Sequence, residues 1–401
     1  MRTRLAAASG ILLIALSGCA ATPSAPASPT GEAVGDGHGE IAGAHELAEP
    51  ALHLTTVDEQ GAVHHLDLLD EGSEVLDEIE PIEDLVTDGR YLFGIRDGSV
   101  TVIDSGVWTW SHIDHFHYYE APSRVIGDVE GGGVARVVTG ETGTGILFDD
   151  EAVLLDTPAL ADGEVVEQFR VPVEPHAAGL VVPLSQGAVV TEPDADGVAQ
   201  TLRVREADGT AGESIPCAQA SGTITTVVGV VIGCADGAAL SVGGDPAEWE
   251  RIAYPSGTSA PATDFAGREG RPSAAALAGT NGVWLLDTRA RSWTFQDLGE
   301  AIVRVTAVGD DADRVLALTA DGSVLVLAGG EIVARTEPLV AASLADPDLA
   351  ARVTFVVDQN RAYLNGPAEQ AMWEIDPADD ARIARTFETA AAPLHLAGTG
   401  R

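Results

Sequence analysis

Val305-Thr-Ala-Val-Gly-Asp310, Arg314-Val-Leu-Ala-Leu-Thr319, Ser323-Val-Leu-Val-Leu-Ala328 and Glu331-Ile-Val-Ala-Arg335 follow one another within residues 305–335. Each is a short run of aliphatic and β-branched residues, and Gly-Asp, Asp-Gly and Gly-Gly steps break the chain between them. Runs of this length bounded by such steps read as strands joined by tight turns. The rhythm returns in Arg90-Tyr-Leu-Phe-Gly-Ile95, Ser99-Val-Thr-Val-Ile-Asp104 and Gly282-Val-Trp-Leu-Leu-Asp287. First strands of such units are expected near Leu85, Val134, Leu180, Thr226, Ala274, Val305 and Val353. Their spacing averages about 45 residues, the period of a four-stranded propeller blade. Helical periodicity is nearly absent; Val340 to Ala351 is the one short candidate.

The two ends of the repeat are incomplete in complementary ways. Leu52-His-Leu-Thr-Thr56 and Ala62-Val-His-His-Leu66 lack a first strand, and His395-Leu-Ala-Gly398 is a strand with no companions. Joining them closes a ring. The fold expected is therefore an all-β propeller of seven or eight blades, closed by N- and C-terminal strands; two β-sandwiches would not need ends that match.

Outside this body the composition changes. The chain has 401 residues with 62 acidic and 22 basic side chains, a net charge of −40, and every basic residue is Arg. That charge excludes an unmodified surface for nucleic acid or anionic lipid, and the absence of Lys excludes Schiff-base chemistry. Arg2, Arg4 and the apolar Leu5–Leu16 precede Leu16-Ser17-Gly18-Cys19, which resembles a bacterial lipobox. The expectation is a lipoprotein signal peptide over 1–18 and lipidation at Cys19. A Pro/Ala/Gly-rich tether over 19–48 and the propeller over 49–401 follow. The protein would then be extracytoplasmic, lipid-anchored to the bacterial cell membrane and monomeric. In an oxidising compartment Cys217 and Cys234 are expected to pair, stabilising the fold by roughly 3 kcal/mol; a metal-thiolate pair is the alternative.

Chemistry concentrates in Trp108-Thr-Trp-Ser-His112-Ile-Asp114-His115-Phe-His117-Tyr-Tyr-Glu120. His115 and His117 are two apart, so an extended strand turns both to one side with Phe116 opposite. His112 joins them if the chain bends at Ile113-Asp114. Three imidazoles supply most of a tetrahedral Zn²⁺ shell, and Asp114 can complete it or fix a ring tautomer. The loop would link an outer strand to the first strand of the next blade and reach the rim of the central channel. His176, in Glu174-Pro-His176, is a candidate distant ligand on the same rim. His38 and His45 in the tether, among Asp36, Glu40 and Glu46, could capture metal loosely. Each of these also has a plain reading as surface. His64 and His65 face opposite sides of a strand, His53 is structural or surface, and the nine carboxylates between Asp67 and Asp84 read as a solvated blade edge. Pro193-Asp-Ala-Asp-Gly197 reads as a turn because it lacks the later ligands of a calcium loop.

The Trp-rich strand leading into His-x-x-His-x-His-Tyr-Tyr, the acidic His-bearing N-terminal segment and Gly233-Cys234-Ala-Asp-Gly237 together resemble the AztD-type zinc metallochaperones of bacterial zinc-uptake ABC transporter systems. The resemblance runs from about residue 36 to the end. It implies Zn²⁺ as cargo, handed to the solute-binding protein of the transporter. His112, His115, His117 and Asp114 fall on the family's His-rich loop and His176 on a ligand region. The family has a His soon after the first Cys of its pair, whereas Cys217-Ala-Gln-Ala-Ser-Gly222 has none.

No enzyme activity is expected. A lipid-anchored propeller scaffold for protein or envelope polymer, without metal, is the alternative. A zinc hydrolase would need a general base, for which Glu120 is the nearby candidate.

Overall fold

The computed structural model describes residues 39–112, 115–257 and 260–401, with residue 112 described by its backbone. The proposed signal peptide, Cys19, His38 and Asp114 lie outside the described residues. Among the described residues, seven four-stranded and two three-stranded antiparallel sheets carry the chain. No helix among them is long and apolar enough to cross a membrane.

Ile302–Ala307, Val315–Thr319, Val324–Ala328 and Glu331–Arg335 form one sheet in chain order, the expected unit. The two middle strands are buried along almost their whole length, whereas Glu331–Arg335 is mostly exposed. A strand covered on both faces has no solvent side to keep polar, so it reads as a continuous apolar run. The outer strand has one, and its charges sit there.

The run Tyr91–Asp104 is extended throughout, yet its ends meet. Ser105 N–H donates to the Arg90 carbonyl at 3.2 Å, and the Arg90 guanidinium forks onto Asp104 at 3.0 and 2.9 Å. Gly98, at φ +84°, reverses the chain between the halves. Asp84–Thr87 pairs with the first half and Arg124–Val134 with the second. With that run counted as two strands, this sheet is a four-stranded unit like the others.

Each core cluster is shared by two sheets consecutive in the chain. Leu316 and Val326 pack with Leu364 and Ile375, and Val189 and Leu202 with Val230 and Ile232. His395–Thr399 pairs antiparallel with His53–Val57, placing both chain ends in one sheet. Leu54 and Leu396 of that sheet then pack on Tyr363, Met372 and Phe387.

Several expectations change. The strand before Ala274 is missed: Ala274 lies in the second strand, Ser273–Ala278, and the first is Ala262–Ala266. That strand is weakly apolar and its register slips between Thr263 and Ala266, where Asp264 takes φ 51°. A five-residue helix at Thr157–Ala161 was too short to leave a periodic signal. Val340–Ala351 holds two short helices, Ala341–Ala345 and Pro347–Ala350. The segment read as tether up to residue 48 contains a strand, His45–Leu47, bonded to His115–Glu120.

Cys217 and Cys234 form a disulfide with their Cα atoms 5.1 Å apart. Cys217 follows the outer strand of one sheet and Cys234 ends the second strand of the next, so the bond staples two sheets rather than two strands of one. Replacing both cysteines by Ser should lower the unfolding free energy by roughly 2–4 kcal/mol, read as an earlier urea midpoint; an unchanged midpoint would contradict this role.

Candidate functional site

Val107–His112 and His115–Glu120 form a β-hairpin with His112 opposite His115 and Trp110 opposite His117. His45–Leu47 adds a third strand with Glu46 opposite Tyr119. The hairpin is an insertion within one sheet, between Tyr91–Asp104 and its edge partner Arg124–Val134. It was expected to lead into the first strand of the next sheet. That expectation fails because Arg124–Val134 pairs backward with Tyr91–Asp104 and so is an outer strand.

Pleating gives the hairpin two faces. His115, His117 and Tyr119 share one with Glu46 of the added strand. Phe116, Tyr118 and Glu120 take the other. The stem is tied down by Trp108, whose ring stacks on Tyr119 with centroids 5.3 Å apart and lies 3.8 Å from the Arg90 guanidinium. Thr109 adds hydrogen bonds from its N–H to the Arg401 carbonyl at 3.3 Å and from its Oγ1 to the Gly400 carbonyl at 2.8 Å. Trp108 Nε1 also donates to the Gly39 carbonyl at 3.2 Å. Gly39, at φ +78°, lies so close to the Trp110 ring that a Cβ there would collide with it.

His115 Nε2 and His117 Nε2 are 3.0 Å apart, and His117 Nδ1 lies 2.6 Å from Glu46 Oε1. A carboxylate only accepts, so Glu46 holds the His117 proton on Nδ1 and leaves the Nε2 lone pair turned toward His115. Two nitrogens bound at 2.0–2.1 Å to one tetrahedral zinc lie about 3.3 Å apart. The pair therefore needs to open by only a few tenths of an ångström to share an ion. Among the described residues no group of three or more His, Cys, Asp or Glu is arranged to hold a metal. The further donors that the sequence offers, the His112 side chain and Asp114, lie outside the description.

Two cavities lie at opposite ends of the innermost strands. One, of about 660 Å³, is lined by strand ends such as Thr87, Thr139 and Val357, and Thr109, Phe116 and Tyr118 of the hairpin border it. The other, of about 840 Å³, is lined by strand starts such as Asp84, Arg136 and His395. The hairpin thus meets the first cavity with the face that carries Phe116 and Tyr118. The imidazoles lie on the opposite face rather than lining a channel rim.

His176 is not brought to the pair. It follows an outer strand, which places it at the strand-start end. Its Nδ1 lies 2.7 Å from the Glu174 carbonyl and its Nε2 2.8 Å from Thr191 Oγ1. His45 is opposite Glu120 and so takes the other face from Glu46. Glu120, sharing that other face, is not placed as a base beside the imidazoles. Glu46 is the contributor that sequence reading placed on a mobile tether; three residues of pairing carry no periodic signal.

The remaining histidines are structural. His65 is buried, stacked on His53 at 4.0 Å and 2.9 Å from Thr399 Oγ1. Burial, with a smaller contribution from His53, pushes its pKa down to about 3. His64 pairs with Asp58 at 2.9 Å on the other side of the strand. His395 is buried with its pKa lowered to about 4, first by desolvation and then by Arg352. Asp194 Oδ1 accepts from the Asp196 and Val198 amides, confirming the turn at 193–197.

No protein-family model matches the chain, and no curated protein sequence does. The fold is similar to that of Citrobacter koseri AztD, at TM-score 0.75 and 20% identity over 88% of this chain and 98% of that one. A second structure of that protein, apo AztD, gives TM-score 0.74 and 21% identity over the same shares. The dihydro-heme d1 dehydrogenase NirN, in complex with DHE, matches more loosely, at TM-score 0.57 and 16% identity over 88% of this chain and 76% of that one.

Because His65 and His395 are neutral when folded, the unfolded chain binds more protons below about pH 6.5. Their contribution to stability is whole above that pH and is lost progressively as the pH falls toward about 4 for His395 and about 3 for His65. Denaturant midpoints between pH 7 and 4 should fall, and His65→Gln should flatten that fall; an unaltered slope would contradict the assignment.

Proposed function

We propose that the protein is an AztD-type zinc metallochaperone. It carries Zn²⁺ on the outward face of the hairpin and delivers it to the solute-binding protein of a zinc ABC transporter. One observation carries the reading: two imidazole nitrogens converge at 3.0 Å while a carboxylate fixes the tautomer of one ring. Similarity of fold to AztD and the His-x-x-His-x-His-Tyr-Tyr pattern support it.

In this reading His115 and His117 are ligands, Glu46 positions His117, and His112 or Asp114 completes the shell. His38 and His45 supply secondary capture. His176, engaged at the other end of its sheet, is not a ligand. The exposed edge of the site lets a partner's own donors replace these one at a time, as transfer requires. In this reading the protein is a carrier and not an enzyme, and Glu46, the carboxylate beside the imidazoles, serves to orient His117.

The body is a ring of eight blades. Eight core clusters, each shared by two sheets, support that count, the last being the contact of Leu54 and Leu396 with Tyr363, Met372 and Phe387. The lipobox-like Leu16-Ser-Gly-Cys19 supports a lipid anchor outside the cytoplasm.

Zinc content after dialysis should be stoichiometric for the wild type and close to zero for His115→Ala/His117→Ala. Equal, near-zero zinc in both would sink the proposal. Glu46→Gln should weaken zinc binding about 10- to 100-fold while leaving the thermal midpoint of the metal-free protein unchanged. Affinity should also fall on acidification below about pH 6.5, because protons compete for the imidazoles.

A further inference from the structure

The cavity of about 840 Å³ at the strand-start end has no part in the proposed zinc site. Arg136, Arg304 and Arg352 line it, as do Glu83, Asp84 and Asp348, with Leu85, Val134 and Leu396 among its apolar walls. Most arginines elsewhere among the described residues pair with carboxylates, as in Arg203 with Glu192 and Arg361 with Glu374. Among the described residues none of the three cavity arginines comes within 4.0 Å of a carboxylate.

Arg304 and Arg352 are engaged by other bonds. Arg304 donates to the carbonyls of Val353, Val303, Ala351 and Ala350 at 3.0, 2.8, 2.9 and 3.3 Å. Arg352 donates to the Glu83 carbonyl at 3.2 Å and to His395 Nε2 at 2.6 Å. His395 can accept there because it is neutral and bonds the Ile82 backbone through its other nitrogen. Asp84 takes its hydrogen bond from the Leu85 amide at 2.8 Å and faces the arginines across the space. Burial raises its pKa, which the fields of Arg352 and Arg304 partly offset. Opposite charges are thus held apart around one space beside apolar side chains, where a ligand bearing both charges would meet each of them.

We infer that this cavity binds a small zwitterion of the amino-acid type, with its carboxylate on Arg136 and Arg352, its ammonium on Asp84 and an apolar side chain against Leu85, Val134 and Leu396. Arg304, its protons largely committed to carbonyls, contributes field rather than contact. The volume suits a small organic ligand.

The test is calorimetric titration of the full chain with L-leucine, N-acetyl-L-leucine and L-leucinamide at fixed ionic strength. Leucine should bind, and loss of either charge should weaken binding at least about tenfold. Asp84→Asn and Arg352→Gln should each do the same, with Arg136→Gln as the variant least able to disturb folding. Equal binding of N-acetyl-L-leucine would mean a simple anion site and would overturn the inference. So would an absence of heat with leucine at about 10 mM, or leucine binding unchanged by Arg136→Gln.

Discussion

Every repeated sheet in this chain has to be covered on both faces. Its middle strands, Val315–Thr319 and Val324–Ala328 in one case, are buried along almost their whole length. At about 25 cal/mol per Å² of apolar surface, a stack of such sheets with two free ends would leave its largest unfavourable term at those ends. The pairing of His395–Thr399 with His53–Val57 completes the sheet that meets both neighbours. That pairing also fixes Gly400 and Arg401, to which Thr109 of the hairpin is bonded. The position of the imidazoles therefore depends on a contact between residues almost three hundred apart in sequence.

The hairpin performs two tasks through the alternation of one strand. Odd positions His115, His117 and Tyr119 share one face with Glu46, Tyr119 buried against Trp108; even positions Phe116 and Tyr118 border the cavity. Trp108, held between Arg90 and Tyr119, makes the stem rigid enough for both. Such a strand tolerates little slippage, because a one-residue shift would exchange the two faces. Glu46 adds a constraint of its own, since it holds the His117 proton on Nδ1 and turns Nε2 toward His115.

The fold was largely legible. Six of the seven inner strands expected from the sequence lie where apolar runs and Asp-Gly turns put them, because doubly covered strands admit few polar residues. Ala262–Ala266 escaped because a slipped register and a left-handed Asp264 break the pattern. The pairing of His115 with His117 was legible too, as a consequence of pleating. The place of the hairpin was not. Whether Arg124–Val134 pairs backward or forward depends on which sheet offers it an edge, and local residues are indifferent to that.

By itself the sequence determined the strand rhythm, the matching ends, the cluster of imidazoles and the paired cysteines. These follow from local periodicity and side-chain chemistry, which act over a few residues. Only the tertiary structure decided that Glu46 joins His117, that His176 stands at the far end, and that Arg136, Arg304 and Arg352 face one cavity with no carboxylate partner among the described residues. Those are relations between distant segments, set by how sheets pack against each other. No composition or spacing encodes them, because the energy that selects them exists only once both faces of each sheet are covered.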